Sequence, residues 1–232
     1  MRRTFLTLTI TLALLAACSA GTDTNAGSSS STRPTVSLEQ LQADAEAGNR
    51  DAQYNLGAAY QDGDGAEKDL TKAREWLGKA ADQGHTLAQF NLGVMYYQAE
   101  GVAKDDKKAF EYFQKASDAE NPRAQFNLGI MYYHGEYVAQ DFSKAMDLFQ
   151  NAAFQGMPDA AFNMGVMFVK GEGKKKNDVM AAAWFRVAQD LGDQKAPEAL
   201  ETMKKDAPND VKGEIEAAYQ DLTNRIVKSP DL

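Results

Sequence analysis

Apolar positions through the middle of the chain fall at helical spacing, and the helices they predict come in copies. In "AQFNLGVMYY" at 88–97, Ala88, Leu92, Met95 and Tyr96 stand at i, i+4, i+7 and i+8, one face of a helix. The stretch returns as "AQFNLGIMYY" at 124–133, and a step of 36 residues carries the whole pattern. Ala52, Ala88, Ala124 and Ala160 align, as do Leu56, Leu92, Leu128 and Met164, and Gly57, Gly93, Gly129 and Gly165. Tyr60 returns as Tyr96, Tyr132 and Phe168. A glycine-containing turn follows each first helix, where positive φ turns the chain. Asp69, Asp105, Asp141 and Asn177 then stand where a second helix needs its N-cap. That helix buries Ala73, Trp76, Leu77, Ala80 and their copies, and Gly84, Gly156 and Gly192 stop it in three of four units. No single helix pair buries its own faces, so the pairs must stack.

The pattern A-x-x-x-L-G-x-x-Y-x-x-G, continued by D-x-x-K-A-x-x-W-x-x-K-A-A-x-x-G, resembles the Sel-one-like repeat, a relative of the tetratricopeptide repeat. Residues 52–195 carry it four times. Leu38–Gly48 resembles the second helix of a leading half-repeat. Ala99, Tyr137 and Glu120 replace expected glycines, and Met180 replaces a lysine. The resemblance implies an all-α fold: a right-handed α-solenoid of antiparallel helix pairs over 37–195, with a helical cap over 196–232. In the cap, Ala196, Leu200 and Met203 make a short amphipathic turn ended before Pro208. Val211, Ile215, Tyr219, Leu222 and Ile226 then line one face of a last helix.

The first 36 residues are of another kind. Arg2 and Arg3 precede an apolar run from Phe5 to Ala17, shorter than the about 20 residues a membrane span needs. The run ends in "LAAC", which resembles the lipobox of bacterial lipoproteins. That resemblance implies a signal peptide over 1–17, cleaved before Cys18, and lipid chains on Cys18 that anchor the protein stably. Ser19, where an aspartate favours inner-membrane retention, points to the outer membrane and a periplasm-facing location. Residues 18–36 hold almost no large apolar side chain and are expected to form a disordered tether, roughly 23 Å end to end.

Charge and reactive groups then narrow the function. The formal net charge is −8, and becomes −10 without Arg2 and Arg3; this argues against nucleic acid, which needs a basic face. Cys18 is the only cysteine, so no disulfide is expected. His85 and His134 have no partner at metal-ligand spacing. Asp62 and Asp64 begin a stretch like a calcium loop, but Ala66, Glu67 and Ala73 stand where later ligands belong. "GEGKKK" at 171–176 lacks the spacing of a phosphate loop and reads as a solvated turn or a basic contact for an acidic partner. No metal, cofactor or catalytic residue is expected, and the chain reads as a non-enzyme.

What the copied helix offers is surface. Opposite Ala88, Leu92 and Tyr96 lie Phe90, Val94 and Tyr97, repeated as Phe126, Ile130 and Tyr133, then Phe162, Val166 and Val169. Such an all-round apolar helix is either packed on several sides or covered by a partner. The second option makes these residues the floor of a concave groove for a protein partner, as the corresponding face of tetratricopeptide relatives receives peptides. The function expected is a membrane-anchored interaction scaffold. The alternatives are an inhibitor or immunity protein against a periplasmic toxin or hydrolase, and a cell-wall or β-lactam-acting enzyme.

Overall fold

The computed structural model describes residues 37–205 and 209–226, which form eleven helices: α1 (Leu38–Glu46), α2 (Arg50–Asp62), α3 (Leu70–Asp82), α4 (Thr86–Gln98), α5 (Asp106–Asp118), α6 (Pro122–His134), α7 (Phe142–Phe154), α8 (Pro158–Lys170), α9 (Asp178–Asp190), α10 (Ala196–Lys205) and α11 (Asn209–Arg225). The leader, Cys18, the tether and Pro208 lie outside the described residues. Helices α2 to α9 are each 13 residues long and pair as α2–α3, α4–α5, α6–α7 and α8–α9, each pair packing on the next. Equal lengths follow from the unbroken 36-residue register. The half-repeat α1 packs on α2, as its resemblance to a second helix implied.

Each expected cap forms. Asp69, Asp105, Asp141 and Asn177 accept backbone N–H groups two or three residues on, at 3.0 Å, and so satisfy donors the first turn leaves open. First helices end in the left-handed region at Gly63, Ala99, Gly135 and Gly171, and the cap N–H closes on the carbonyl four residues back. Positive φ among non-glycine described residues occurs at Ala99, Glu120 and Tyr137, the three places where the pattern lacks its glycine. A Cβ in that region costs roughly 1–2 kcal/mol, partly offset by the entropy glycine loses on folding. Ala99→Gly should therefore raise stability by about 0.5–1 kcal/mol, read as a higher urea midpoint at unchanged slope.

The core lies between the helices of each pair. Gly57, Gly93, Gly129 and Gly165 lie against Leu77, Phe113, Phe149 and Phe185 of their own repeats, so close that an added Cβ would fall 2.6–2.8 Å from those side chains. Trp76 and Leu41 both pack on the cluster of Ala45, Ala52 and Leu56, which joins α1 to the first repeat, and Tyr112 packs on the cluster of Ala80, Ala88 and Leu92, which joins the first repeat to the second. The outer stripe of the second helices is polar at Lys72, Glu75 and Lys79 and at Lys108, Glu111 and Lys115, but becomes Met180, Ala183 and Val187 in α9. Helix α11 packs on α9 and ends the array. Arg186 pairs with Glu216 and lies over the Tyr219 ring, whose hydroxyl donates to Asp190.

Candidate interaction surface of the first helices

The face expected to be a groove floor is packed. Phe90, Val94, Phe126, Ile130, Tyr133, Phe162 and Val166 are all buried, and Tyr97 is half-buried. This corrects their placement opposite the core. Phe90, Phe126 and Phe162 close on Phe113, Phe149 and Phe185 at ring-centroid distances of 6.1, 5.5 and 5.3 Å. The glycines let the two helices of a pair approach until the second helix's ring reaches round the first helix's flank. A helical wheel drawn for one helix assigns one core direction, whereas a first helix in this array has contacts on its own partner and on both adjacent repeats.

The two tyrosines are ties between repeats. Tyr97 donates its hydroxyl to Glu136 at 2.9 Å, and Tyr133 donates to Glu172 at 2.8 Å. Lys170 donates to the Tyr133 oxygen at 2.9 Å. Burial, reinforced by the Glu172 carboxylate, pushes the Tyr133 hydroxyl up from the ordinary phenol range, so it stays a donor at every pH of interest. Substituting Tyr133 thus removes packing and a hydrogen bond together.

A second tie was missed in the sequence. Gln53 and Gln89, each following the core alanine, are buried and donate to the carbonyls of Ala45 and Ala81 in the preceding helix, at 3.1 and 3.2 Å. Gln83 donates to Gln53 at 2.7 Å, and Gln155 to Gln125 at 2.9 Å. The signal was present as "AQ" in three repeats, but a glutamine beside an apolar stripe is ordinarily a solvated residue.

What remains open on the first helices differs from repeat to repeat. At one register position stand Asp51, Leu87 and Arg123, all exposed, and half-buried Asp159; at another, near the helix ends, stand Asp62, Gln98, His134 and Lys170, all exposed. Leu87 is 42% exposed, one of two large apolar side chains in the described residues so placed. Asn55 is exposed and Asn91 half-buried, while Asn127 and Asn163 are closed in. The positions that recur are mostly inside, Asn55 excepted, and those that vary are mostly at the surface.

His85 sits at the start of this surface. Its Nδ1 accepts the Ala88 N–H at 3.2 Å, the cap made by Asn49 and Asn121 in neighbouring repeats, and its ring stacks on Tyr54 at 4.3 Å. Burial holds its pKa below the usual histidine value; Asp51 opposes this and Arg50 adds to it. The folded state favours the neutral ring, so the contribution is complete above the ordinary histidine pKa and is lost as pH falls through it. Melting temperature should drop on going from about pH 7.5 to pH 5 more in the native chain than in His85→Asn, which keeps the cap without the titration. Equal drops in both would disprove it.

Among the described residues, no group of three or more His, Cys, Asp or Glu side chains is placed to hold a metal ion, and no helix is long and apolar enough to cross a membrane. The Sel1 repeat model matches residues 50–85, 86–121, 122–157 and 158–193. The fold is similar to that of a protective antigen of uropathogenic Escherichia coli strains, at 33% identity and a TM-score of 0.74 over 82% of this chain and 41% of that one. It is also similar to a Sel1 repeat protein of Oxalobacter formigenes, at 30% identity and a TM-score of 0.66 over 72% of this chain and 49% of that one. The chain thus spans under half the length of these two structures. No curated protein matches it. The chain belongs to the Sel1 repeat family, whose repeats generally mediate protein–protein interaction.

Proposed function

We propose that this Sel1 repeat chain is a lipid-anchored protein of the bacterial envelope, facing the periplasm, that holds a protein partner along its first helices without turning it over. The observation that carries the reading is the division of each first helix into a recurring, mostly buried part and a varying part that is exposed at all but half-buried Asp159: Asp51, Leu87, Arg123 and Asp159 at one register, and Asp62, Gln98, His134 and Lys170 at another. An array built this way presents a rigid, extended surface whose pattern is set by side chains that change from repeat to repeat. Anchoring rests on "LAAC" and on Cys18, the one thiol in the chain.

The test is site-directed photo-crosslinking in intact cells. A photoreactive residue at position 87 or 123 should trap a partner, while one at position 111, on the outer stripe of α5, should not. Leu87→Asp should weaken capture by roughly tenfold. Equal capture from all three positions, or an undiminished Leu87→Asp complex, would refute the assigned face. Radiolabelled palmitate should enter the native chain and not Cys18→Ala; label in both would refute the anchor.

A further inference from the structure

The turns that join each first helix to its second helix lie along one edge of the array. The Tyr97–Glu136 and Tyr133–Glu172 hydrogen bonds each run from the end of one first helix to the next repeat's turn, which sets successive turns side by side. Charge along this edge is graded. Around the first turn stand Asp62, Asp64 and Glu67, all exposed, against Lys68. Around the fourth stand Lys170, Lys174, Lys175 and Lys176, all exposed, of which Lys170 pairs with Glu172 and Lys176 with Asp178. An acidic end and a basic end thus share one edge of a chain whose overall charge is acidic.

Between these ends the two middle turns carry apolar side chains beside charges that are paired within the array: Lys104 with Asp106, and Glu136 with the Tyr97 hydroxyl. Val102 in the second turn and Val138 in the third are half-buried, and Tyr137 beside Val138 is 51% exposed. Tyr137 takes a φ of 65° where Gly65, Gly101 and Gly173 stand in the other turns. That conformation disfavours any residue with a Cβ, and a bulky ring most of all. The ring packs on Phe110 at 5.5 Å, yet half of it faces water. Packing inside the array therefore leaves half of the side chain unaccounted for.

We propose that this edge is a two-fold symmetric interface on which a second copy of the chain docks antiparallel. A two-fold axis between the second and third turns sets turns 1, 2, 3 and 4 of one copy against turns 4, 3, 2 and 1 of the other. The acidic first turn of each copy then meets the lysine-rich fourth turn of its partner. The second turn, with Val102, meets the third, with Tyr137 and Val138. This places Val102, Tyr137 and Val138 at the centre and the oppositely charged turns at the rim. A parallel arrangement would set acid against acid and lysine against lysine, which costs affinity, so the charge pattern selects the antiparallel pair.

Analytical ultracentrifugation of the full chain in detergent tests this. The native chain should sediment as a dimer at low salt and dissociate as salt screens the rim. Lys174→Glu with Lys175→Glu should weaken the dimer at least about tenfold, and Asp64→Lys with Glu67→Lys should do the same. An equimolar mixture of these two variants should restore a mixed dimer, because each then offers the charge that the other lacks at both ends. Circular dichroism of each variant checks that the surface changes leave helicity intact. A native chain that stays monomeric at about 0.1 mM, charge-swapped variants that still self-associate, or a mixture that stays monomeric would each overturn the interface. None of these outcomes bears on photo-crosslinking at position 87, so failure here is distinct from failure of the partner-binding reading.

Discussion

Trp184→Ala should cost about 3–5 kcal/mol, while Trp76→Ala, at the same register three repeats earlier, should cost about 1–2 kcal/mol. The repeat pattern alone makes the two residues equivalent. In the structure they are not. Trp184 is wholly buried, with Phe154 at 5.7 Å, in the helix on which α11 packs. Trp76 is half-buried against α1, and Lys79 lies 3.6 Å over its ring. A cavity at 184 cannot refill with water at low cost, whereas truncation at 76 exposes a surface already partly wet. Urea unfolding of both variants gives the comparison, and hydrogen exchange should show protection lost first in the helices next to the changed one. Equal costs would mean that the two indoles are equally enclosed.

Gly93→Ala is the second large effect, of the opposite kind. The new methyl would stand 2.6 Å from two atoms of the Phe113 ring, inside any real contact distance, and the ring has Phe90 and Tyr97 on its other sides. Overpacking of this sort costs about 1–3 kcal/mol, even after the roughly 1 kcal/mol that alanine gains over glycine as a helix former. Phe113→Ala alone should cost about 3–5 kcal/mol through its cavity. The double variant should cost clearly less than the sum, because the methyl then occupies part of the space the ring leaves. Additive costs in a double-mutant cycle would show that the glycine and the ring do not share that space.

The fold was legible because its determinants are local and repeated. A 36-residue step needs no knowledge of distant contacts, and the caps at Asp69, Asp105, Asp141 and Asn177 are short-range features that the structure reproduces. Even the departures were informative: Ala99, Glu120 and Tyr137 were marked as missing glycines, and each takes positive φ. The surface was much less legible. Whether Phe90 faces water depends on how closely α5 approaches α4, and that is set by Gly93 and Phe113, twenty residues apart. Burial of Gln53 and Gln89 likewise depends on carbonyls eight residues earlier, at a helix end. A single-helix projection contains neither distance. The polar residues that do reach solvent, such as Arg123 and Lys170, look in the sequence like any solvated face.

The unbroken 36-residue step has a consequence for how such a gene can change. Repeats two and three are nearly the same helix pair: each sets a glycine against a phenylalanine ring, with Phe90 or Phe126 beside it. Recombination between the two copies would excise or duplicate one whole unit, leaving every remaining ring opposite a glycine and every remaining junction of a kind already present. Length is therefore open to change in the middle of the array and closed at its end, where α9 has Met180, Ala183 and Val187 on its outer stripe and needs α11 beside it. Lineages carrying this chain should differ in the number of middle repeats and agree in the fourth repeat and its cap.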